Sequence, residues 1–360
     1  MENGIQMLWG RFSQTHLIIF MSDSRSYPRI MKAVFLDKPS GRLIVKEVPT
    51  PLPGQGEVLI KIKAAPVNPS DLAMLRRALA ENDTTTFIPG LEGSGTVIAA
   101  GKGILSRLII GKRVACSSDN PDSGTWAEYM VTKAAKCFPL GTKVNDEQGS
   151  MLLVNPLTAL SFFEIVRQNR HKAVINNAAA SALGRMVEFL GTKHNIPVIN
   201  IVRNSVQAEM LKNLGTRHIL DSSGLSFIDN LGALSHELNA TVLFDSVCSR
   251  QLEKMIDVLP YGSSVIIYGN LSGEEQIMIN PRSLIDKDIK ISGFYLGDRA
   301  KKNGLLKNMM NLREVNHLLS NDLKIRIQGR FPLSRAQEAV DTYLGNMSAG
   351  KVLILTEMTA

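Results

Sequence analysis

Residues 173–204 read AVINNAAASALGRMVEFLGTKHNIPVINIVRN, and the fold follows from how this stretch divides. Ala173–Asn176 is a short apolar run of strand length. A turn of small residues follows, then apolar positions at helical spacing over 181–193, then a second apolar run, Pro197–Val202, closed by Arg203. Strand, tight turn, helix and strand make one βαβ unit. The turn of such a unit sets backbone N–H groups and a helix N-terminus against a pyrophosphate. Here Ala178-Ala179-Ala180-Ser181-Ala182-Leu183-Gly184 carries alanines and Ser181 where the usual fingerprint has glycines, and only Gly184 keeps its place. Taken alone, the turn could equally serve helix packing; the flanking strands favour a dinucleotide.

The end of the second strand decides which dinucleotide. An NAD site places Asp or Glu there to hold the ribose 2′-hydroxyl. Arg203 stands about 20 positions beyond Gly184, the spacing of that acidic residue, with Asn204 after it. A guanidinium pairs with a 2′-phosphate, and the missing carboxylate removes a repulsion. The pattern predicts NADP(H); a strand-end arginine facing solvent is the plain alternative.

Outward from this unit the two halves of the chain differ in texture. Downstream, a helix over 205–214 is followed by strands at Ile219–Leu220, Thr241–Asp245, Ser263–Gly269 and Ile291–Leu296, the alternation of a parallel sheet covered on both faces. Helices over 305–319 and 335–344 and a strand at Val352–Leu355 close the chain. Upstream, short strands at Ala33–Leu36, Leu43–Val48, Glu57–Ala65, Thr96–Ala100, Arg113–Cys116 and Trp126–Val131 sit among Gly/Pro turns, with one short helix over Leu72–Leu79. That is the pattern of a barrel-like β domain. Asn145 with Gln148 resembles a helix-start box, and a helix over Asn155–Arg167 carries Pro156 in its first turn. Residues 1–30 read as an extension, disordered or from an upstream start, with the domain opening at Met31.

Composition excludes several function classes. The net charge of +8 is spread along the chain without a dense Lys/Arg block, so no nucleic-acid partner is expected. No apolar run approaches the roughly 18 residues of a membrane span. Cys116, Cys137 and Cys248 form neither a disulfide framework nor a CxxC pattern, which fits a reducing, cytoplasmic setting. The six histidines are scattered, and no set of three ligands suggests a catalytic zinc. No serine lies in a G-x-S-x-G setting.

A series of motifs in fixed order resembles one family. They are MKAVFLDKPSG from Met31, Pro66-Val-Asn-Pro-Ser-Asp71, Pro89-Gly-Leu-Glu-Gly-Ser-Gly95, Gly124-Thr-Trp-Ala-Glu-Tyr129, Val154-Asn-Pro-Leu-Thr-Ala159, the βαβ unit, Phe244-Asp-Ser-Val247, Val265-Ile-Ile-Tyr-Gly269, Gly293-Phe-Tyr-Leu296 and Gly350-Lys-Val-Leu353. From Met31 on, the chain resembles the zinc-independent medium-chain dehydrogenases/reductases, and most of all their quinone oxidoreductases and 2-enoyl thioester reductases. The resemblance implies an α/β protein: a GroES-like β-barrel domain plus a Rossmann doubly wound parallel-sheet domain. Residues 31–155 would form the GroES-like catalytic domain, 156–297 the NADP-binding Rossmann domain, and 298–360 a segment returning to the catalytic domain. It also accounts for the missing metal. Zinc-dependent relatives carry Cys near Asn68 and His where Leu91 stands beside Glu92.

Site residues follow from the same resemblance. Ala180, Ser181, Ala182, Leu183 and Gly184 would line the pyrophosphate, and Arg203, Asn204 and Ser205 would hold the 2′-phosphate. Tyr268, Gly269, Asn270 and Leu271, with Phe294, Tyr295 and Leu296, would flank the nicotinamide, though strand core explains Phe294–Leu296 as well. Asn155, Thr158 and Lys351 match positions near the cofactor. Asn68 and Thr158 are the candidate catalytic residues, Asn68 as a donor to a developing oxyanion or, equally, as a turn-stabilising residue before Pro69. The expected activity is NADPH-dependent, zinc-free hydride transfer to a quinone or an α,β-unsaturated carbonyl, in a homodimer acting on a small molecule. Two alternatives stand. Enoyl thioester reductases place a tyrosine shortly after the N-P-S-D motif, and Leu75–Phe87 has none. A non-catalytic NADPH-binding sensor or scaffold is the other.

Overall fold

The computed structural model describes residues 27–80, 87–118 and 123–358. The expected extension lies, up to residue 26, outside the described residues, as do residues 81–86 of the stretch searched for a tyrosine.

Two sheets organise the chain. The first is a parallel sheet of six strands, Ala173–Asn176, Val198–Val202, His218–Asp221, Ala240–Asp245, Ser264–Ile267 and Lys290–Gly293. Its spatial order places the third strand at one edge, then the second and first, then the fourth, fifth and sixth. Strand order therefore reverses between Ala173–Asn176 and Ala240–Asp245, the switch point at which a doubly wound sheet opens a crevice beyond its carboxyl ends. The second sheet is mixed. It joins Glu57–Pro66, Glu92–Ala100, Arg113–Ser117, Tyr129–Lys133 and Cys137–Pro139 to two strands from the far end of the chain, Ile327–Pro332 and Lys351–Leu355. A two-stranded ribbon, Ile30–Asp37 with Arg42–Pro49, lies beside it.

The helix Asn155–Gln168 sits between the sheets. Its apolar residues face both, so it is buried nearly all round rather than amphipathic. One core cluster contains Phe162 and Phe163 of this helix, Val174 and Phe244 of the parallel sheet, and Ala115 and Leu353 of the mixed sheet. Burying each large apolar side chain contributes about 1.5–3 kcal/mol, so this seam is a true core.

Several local expectations are corrected. The helix expected over Leu72–Leu79 spans Pro69–Ala80. Pro69 supplies a preset φ for its first turn, and the Asp71 carboxylate reaches back to accept the Asn68 N–H (2.8 Å). The strand expected over Ile291–Leu296 stops at Gly293. The Phe294 N–H still bonds the Ile267 carbonyl, but Tyr295 is 71% exposed and Leu296 opens a helix, so the apolar run is not one strand. That helix, Leu296–Asn321, takes in the one expected over 305–319 and kinks at Gly304 (φ 72°). The strand expected over Ser263–Gly269 is trimmed to Ser264–Ile267, which leaves Tyr268–Leu271 as a loop at the carboxyl end of the sheet.

Candidate cofactor cleft and active site

The small-residue turn lies at the switch point. Asn177 Nδ2 donates to Asp245 Oδ1 (2.7 Å), tying the ends of the two strands that flank the crevice, and Asn177 Oδ1 accepts the Ala178 N–H (2.8 Å). Ala178 is thereby held at φ 54°, a left-handed conformation unusual for alanine. Asp245 also accepts the N–H groups of Val247 and Cys248 (2.9 and 3.2 Å), which shapes the facing loop. Ser181 caps the helix Ala182–His194, its Oγ accepting the Gly184 N–H (3.0 Å). Gly184 is obligatory: a Cβ there would lie 2.5 Å from the Ala179 carbonyl oxygen and 2.6 Å from that of Ala178. Below the turn, two fully buried asparagines face each other across the sheet. Asn176 Nδ2 donates to Asn200 Oδ1 (2.9 Å) and to the Gly184 carbonyl (3.0 Å), and Asn200 donates to Glu188 (2.6 Å).

At the end of the second strand Val202 is buried and Arg203 is exposed. Asn204 caps the helix Ser205–Asn213 by accepting the Gln207 N–H (3.0 Å). Gln207 then makes two further bonds. Its Oε1 accepts the Arg203 N–H (3.2 Å), and its Nε2 donates to Ser348 Oγ (2.6 Å). Arg185 reaches the same loop, donating to the carbonyls of Ala180 (2.7 Å) and Ser348 (2.8 Å). The loop that precedes Lys351 is thus fastened to the helix of the βαβ unit and to the helix that follows it.

Lys351, Asn68 and Glu92 form a buried line. Lys351 Nζ donates to Asn68 Oδ1, and Asn68 Nδ2 donates to Glu92 Oε1 (3.1 Å). Glu92 Oε2 accepts the N–H groups of Leu153 (3.0 Å) and Val154 (2.9 Å), at the start of the central helix. Asp71 accepts the N–H groups of Asn68 and Leu91 (2.9 Å to the latter). Burial pushes the Asp71 carboxyl up to about 7 against the pull of those two N–H groups. Burial also raises Glu92, opposed by Lys351, and lowers Lys351, opposed by Glu92 and Asp71.

This geometry bears on both candidate catalytic residues. The Asn68 amide is engaged at both ends; Nδ2 carries two hydrogens, and Glu92 takes one. The Thr158 hydroxyl donates to the Val154 carbonyl four residues back (2.7 Å), and Asn155 lies one turn earlier on the same helix. On the other wall, the Leu271 N–H bonds the Ser246 carbonyl (2.8 Å) and Asn270 Nδ2 donates to the Glu274 carbonyl (2.8 Å), which shapes the loop around Gly269. Phe162 stacks on Phe244 (centroids 4.0 Å) and meets Tyr268 and Phe294 edge-on (5.0 and 5.1 Å). Phe294 and Tyr268 therefore pack into the seam, while Tyr295 points outward. Among the described residues no group of three or more His, Cys, Asp or Glu side chains is arranged to hold a metal ion.

Asp71, Glu92 and Asp245 lie inside the motifs quoted above, yet the sequence assigns them no role. The bridge from Gln207 and Arg185 to Ser348 has no sequence signal, because its partners lie far apart along the chain.

Comparison with known proteins agrees with this architecture. Residues 54–142 match the alcohol dehydrogenase GroES-like domain, and residues 182–311 match the zinc-binding dehydrogenase family. The mitochondrial enoyl-[acyl-carrier-protein] reductase of Arabidopsis thaliana is 28% identical over 309 residues, covering 84% of this chain and 81% of that protein. The quinone oxidoreductase of Mus musculus is 22% identical over 339 residues, covering 91% and 98%. Among solved structures, a Mesorhizobium loti protein assigned as an NADPH:quinone reductase superposes with a TM-score of 0.85 at 29% identity, over 92% of this chain and all of that one. The chain belongs to the zinc-independent medium-chain dehydrogenase/reductase superfamily, with the fold shared by quinone oxidoreductases and enoyl reductases. Like its relatives it is an oxidoreductase.

Proposed function

We propose that the protein transfers hydride from NADPH to a quinone or an α,β-unsaturated carbonyl, without zinc. The observation that carries this reading is the pairing of the Gly184 turn with Arg203. The turn leaves no room for a Cβ at Gly184, faces the switch point and is backed by a capped helix N-terminus, which suits a pyrophosphate. Ala180 to Leu183 would line it. Arg203, with Asn204 and Ser205, offers a cation and polar groups where a 2′-phosphate would lie, and no carboxylate takes that strand-end position. The donor set does not suit zinc: Asn68 and Leu91 supply neither thiolate nor imidazole.

When bound, NADPH supplies the hydride. The chain's own residues hold and orient. Lys351 and Glu92 fix the Asn68 amide, whose second Nδ2 hydrogen can support a developing oxyanion. Asn155 and Thr158 border the same space, and the proton comes from water. The aromatic group around Phe162 keeps the floor of the cleft dry and rigid. Enoyl thioester reduction is the second reading, favoured by the Arabidopsis thaliana relative.

Titration of NADPH and NADH by fluorescence tests the cofactor half. Tighter binding of NADPH is expected, and Arg203→Ala should weaken NADPH while sparing NADH; equal affinities sink the argument. Oxidation of NADPH against 9,10-phenanthrenequinone, a simple enone and crotonyl-CoA tests the acceptor. Turnover with the thioester alone would reverse the ranking of the two readings, and turnover with none would favour a sensor or scaffold.

We further infer a homodimer acting on a small molecule in a cytoplasmic setting. Lys290–Gly293 is an edge strand, and Tyr295, Leu305 and Leu306 beyond it are exposed, which supports pairing with a second copy. The cysteines are all free, and among the described residues no helix is long and apolar enough to cross a membrane.

A further inference from the structure

A cavity of about 210 Å³ lies where the βαβ unit meets the chain leading into the mixed sheet. Three cations line it: Arg185 of the helix Ala182–His194, and Lys324 and Arg326 of the segment before Ile327–Pro332. Between them it is apolar, with Met186, Met210 and Leu214 among its walls, and no aspartate or glutamate contributes. Arg185 is anchored through Nη1 alone to Ala180 and Ser348, which leaves its other nitrogens unused by that anchor. Burial, and then the nearby charge of Arg326, hold its pKa below the ordinary arginine value. Two like charges thus share this space.

The walls belong to different parts of the fold, and hydrogen bonds fix the backbone of one of them. The backbone of Ile325 is bonded on both sides by the Gln148 amide (2.9 Å each way). The Arg326 carbonyl accepts the Lys351 N–H (2.8 Å), so the lining is joined through the main chain to the buried lysine. Of the candidate cofactor residues only Ala182 lines the cavity; Arg203, Asn204 and Ser205 do not.

We propose that this cavity binds a small organic phosphate monoester, with the phosphate among Arg185, Lys324 and Arg326 and its apolar body on Met186, Met210 and Leu214. A phosphate dianion offers three strong acceptor oxygens, which suit a space lined by three cations better than a carboxylate does. Methionines adapt to a flat or irregular apolar group. The volume falls below the usual range for drug-sized ligands, so it admits a single ring or a short chain and excludes a dinucleotide. Such a ligand would bridge the two halves of the protein beside Lys351. The proposal does not depend on the identity of the hydride acceptor.

Calorimetry with phenyl phosphate on the full chain tests it, at constant ionic strength, with and without NADPH at a concentration that saturates the fluorescence titration. Binding should survive NADPH, and inorganic phosphate should bind about tenfold more weakly or worse because it lacks the apolar body. The double variant Lys324→Ala, Arg326→Ala should lose about tenfold or more. Leu214→Trp should fill the apolar end and abolish binding, at a residue exposed enough (65%) to tolerate the change. Absence of binding, displacement by NADPH, equal affinity for inorganic phosphate, or indifference to both variants would each overturn the proposal.

Discussion

Glu92 and Lys351 face each other across the amide of Asn68, and neither side chain reaches solvent. Two of the three elements involved belong to the mixed sheet, and the third is the turn before the helix Pro69–Ala80. Glu92 also accepts the N–H groups of Leu153 and Val154, the two residues that lead into the helix between the sheets. A carboxylate at a helix N-terminus is favoured by the helix dipole, so this one charge serves the helix and the lysine together.

Replacing Lys351 by Met should therefore cost more than the lost bond. A buried carboxylate would be left without its cation, which typically costs about 3–5 kcal/mol. The sign of the pH dependence follows. Lys351 opposes the upward shift of Glu92, so its removal raises the folded-state pKa of Glu92 further above the unfolded value. A carboxyl raised in the folded state stabilises below its unfolded pKa and loses that contribution as pH rises. Urea unfolding at pH 5 and pH 8 should show a smaller deficit at pH 5, and an equal deficit at both would sink the account.

Asp71 gives a second pH signature. Its carboxyl is raised from 3.8 to about 7, with burial the largest cause. The folded state then holds a proton that the unfolded chain releases, so stability falls as pH rises from about 4 to about 7 and is flat above. Asp71→Asn should abolish that slope. It also sets an NH₂ group against one of two backbone N–H donors, so a loss of about 1–3 kcal/mol is expected at every pH. Chemical unfolding from pH 4.5 to 8 separates the two effects, and a variant that keeps the wild-type slope would assign the slope to another group.

The sequence carried the βαβ unit clearly because its physics is local. The strand, cap and helix of 173–194 each read from neighbouring residues, and Gly184 keeps the glycine of the dinucleotide fingerprint at a place where packing tolerates no side chain. Arg203 was legible for the same reason, by its position at a strand end. What stayed hidden depends on chain closure. Asn68, Glu92 and Lys351 appear in three separate motifs, and only folding shows that the asparagine is held between the other two. The run Ile291–Leu296 misleads because six apolar or small residues in a row look like a strand, whereas hydrogen-bond partners in the sheet end at Phe294. In the strand Ile327–Pro332 the alternation of Ile327 and Phe331 with Gln328 and Arg330 is broken by Gly329 and ended by a proline, so its pairing with Lys351–Leu355 leaves only a faint pattern to read.

Gly184→Ala tests the turn directly. The added Cβ would press on backbone atoms of Ala178 and Ala179, which cannot rotate away as a side chain could. Overpacking of this kind costs about 1–3 kcal/mol, and shifting the turn also strains the bond that Gly184 donates to Ser181 and the one it accepts from Asn176. Thermal unfolding should show the loss, and the fluorescence titration should show NADPH affinity falling about tenfold or more. Gly345→Ala is the control. It ends the helix Ala336–Gly345 with open space around its Cβ, so its effect should be neutral or slightly stabilising. Unchanged NADPH affinity in Gly184→Ala would remove the turn from the cofactor site.

The bond from Gln207 to Ser348 should behave as a fastening between the helix Ser205–Asn213 and the loop ahead of Lys351. Gln207 spends its amide on two partners at once, the Arg203 N–H and the Ser348 hydroxyl, so truncating it affects both the strand end and the loop. Gln207→Ala and Ser348→Ala should each cost about 0.5–1.5 kcal/mol, the usual net worth of a hydrogen bond. The Ser348 carbonyl keeps its bond from Arg185 in both variants, which holds the loop in place and makes the pair suitable for a double-mutant cycle. If the two side chains act through each other, the double variant should lose less than the two single losses combined, by about 0.5 kcal/mol or more. Strict additivity in urea unfolding would mean that the bond contributes nothing of its own.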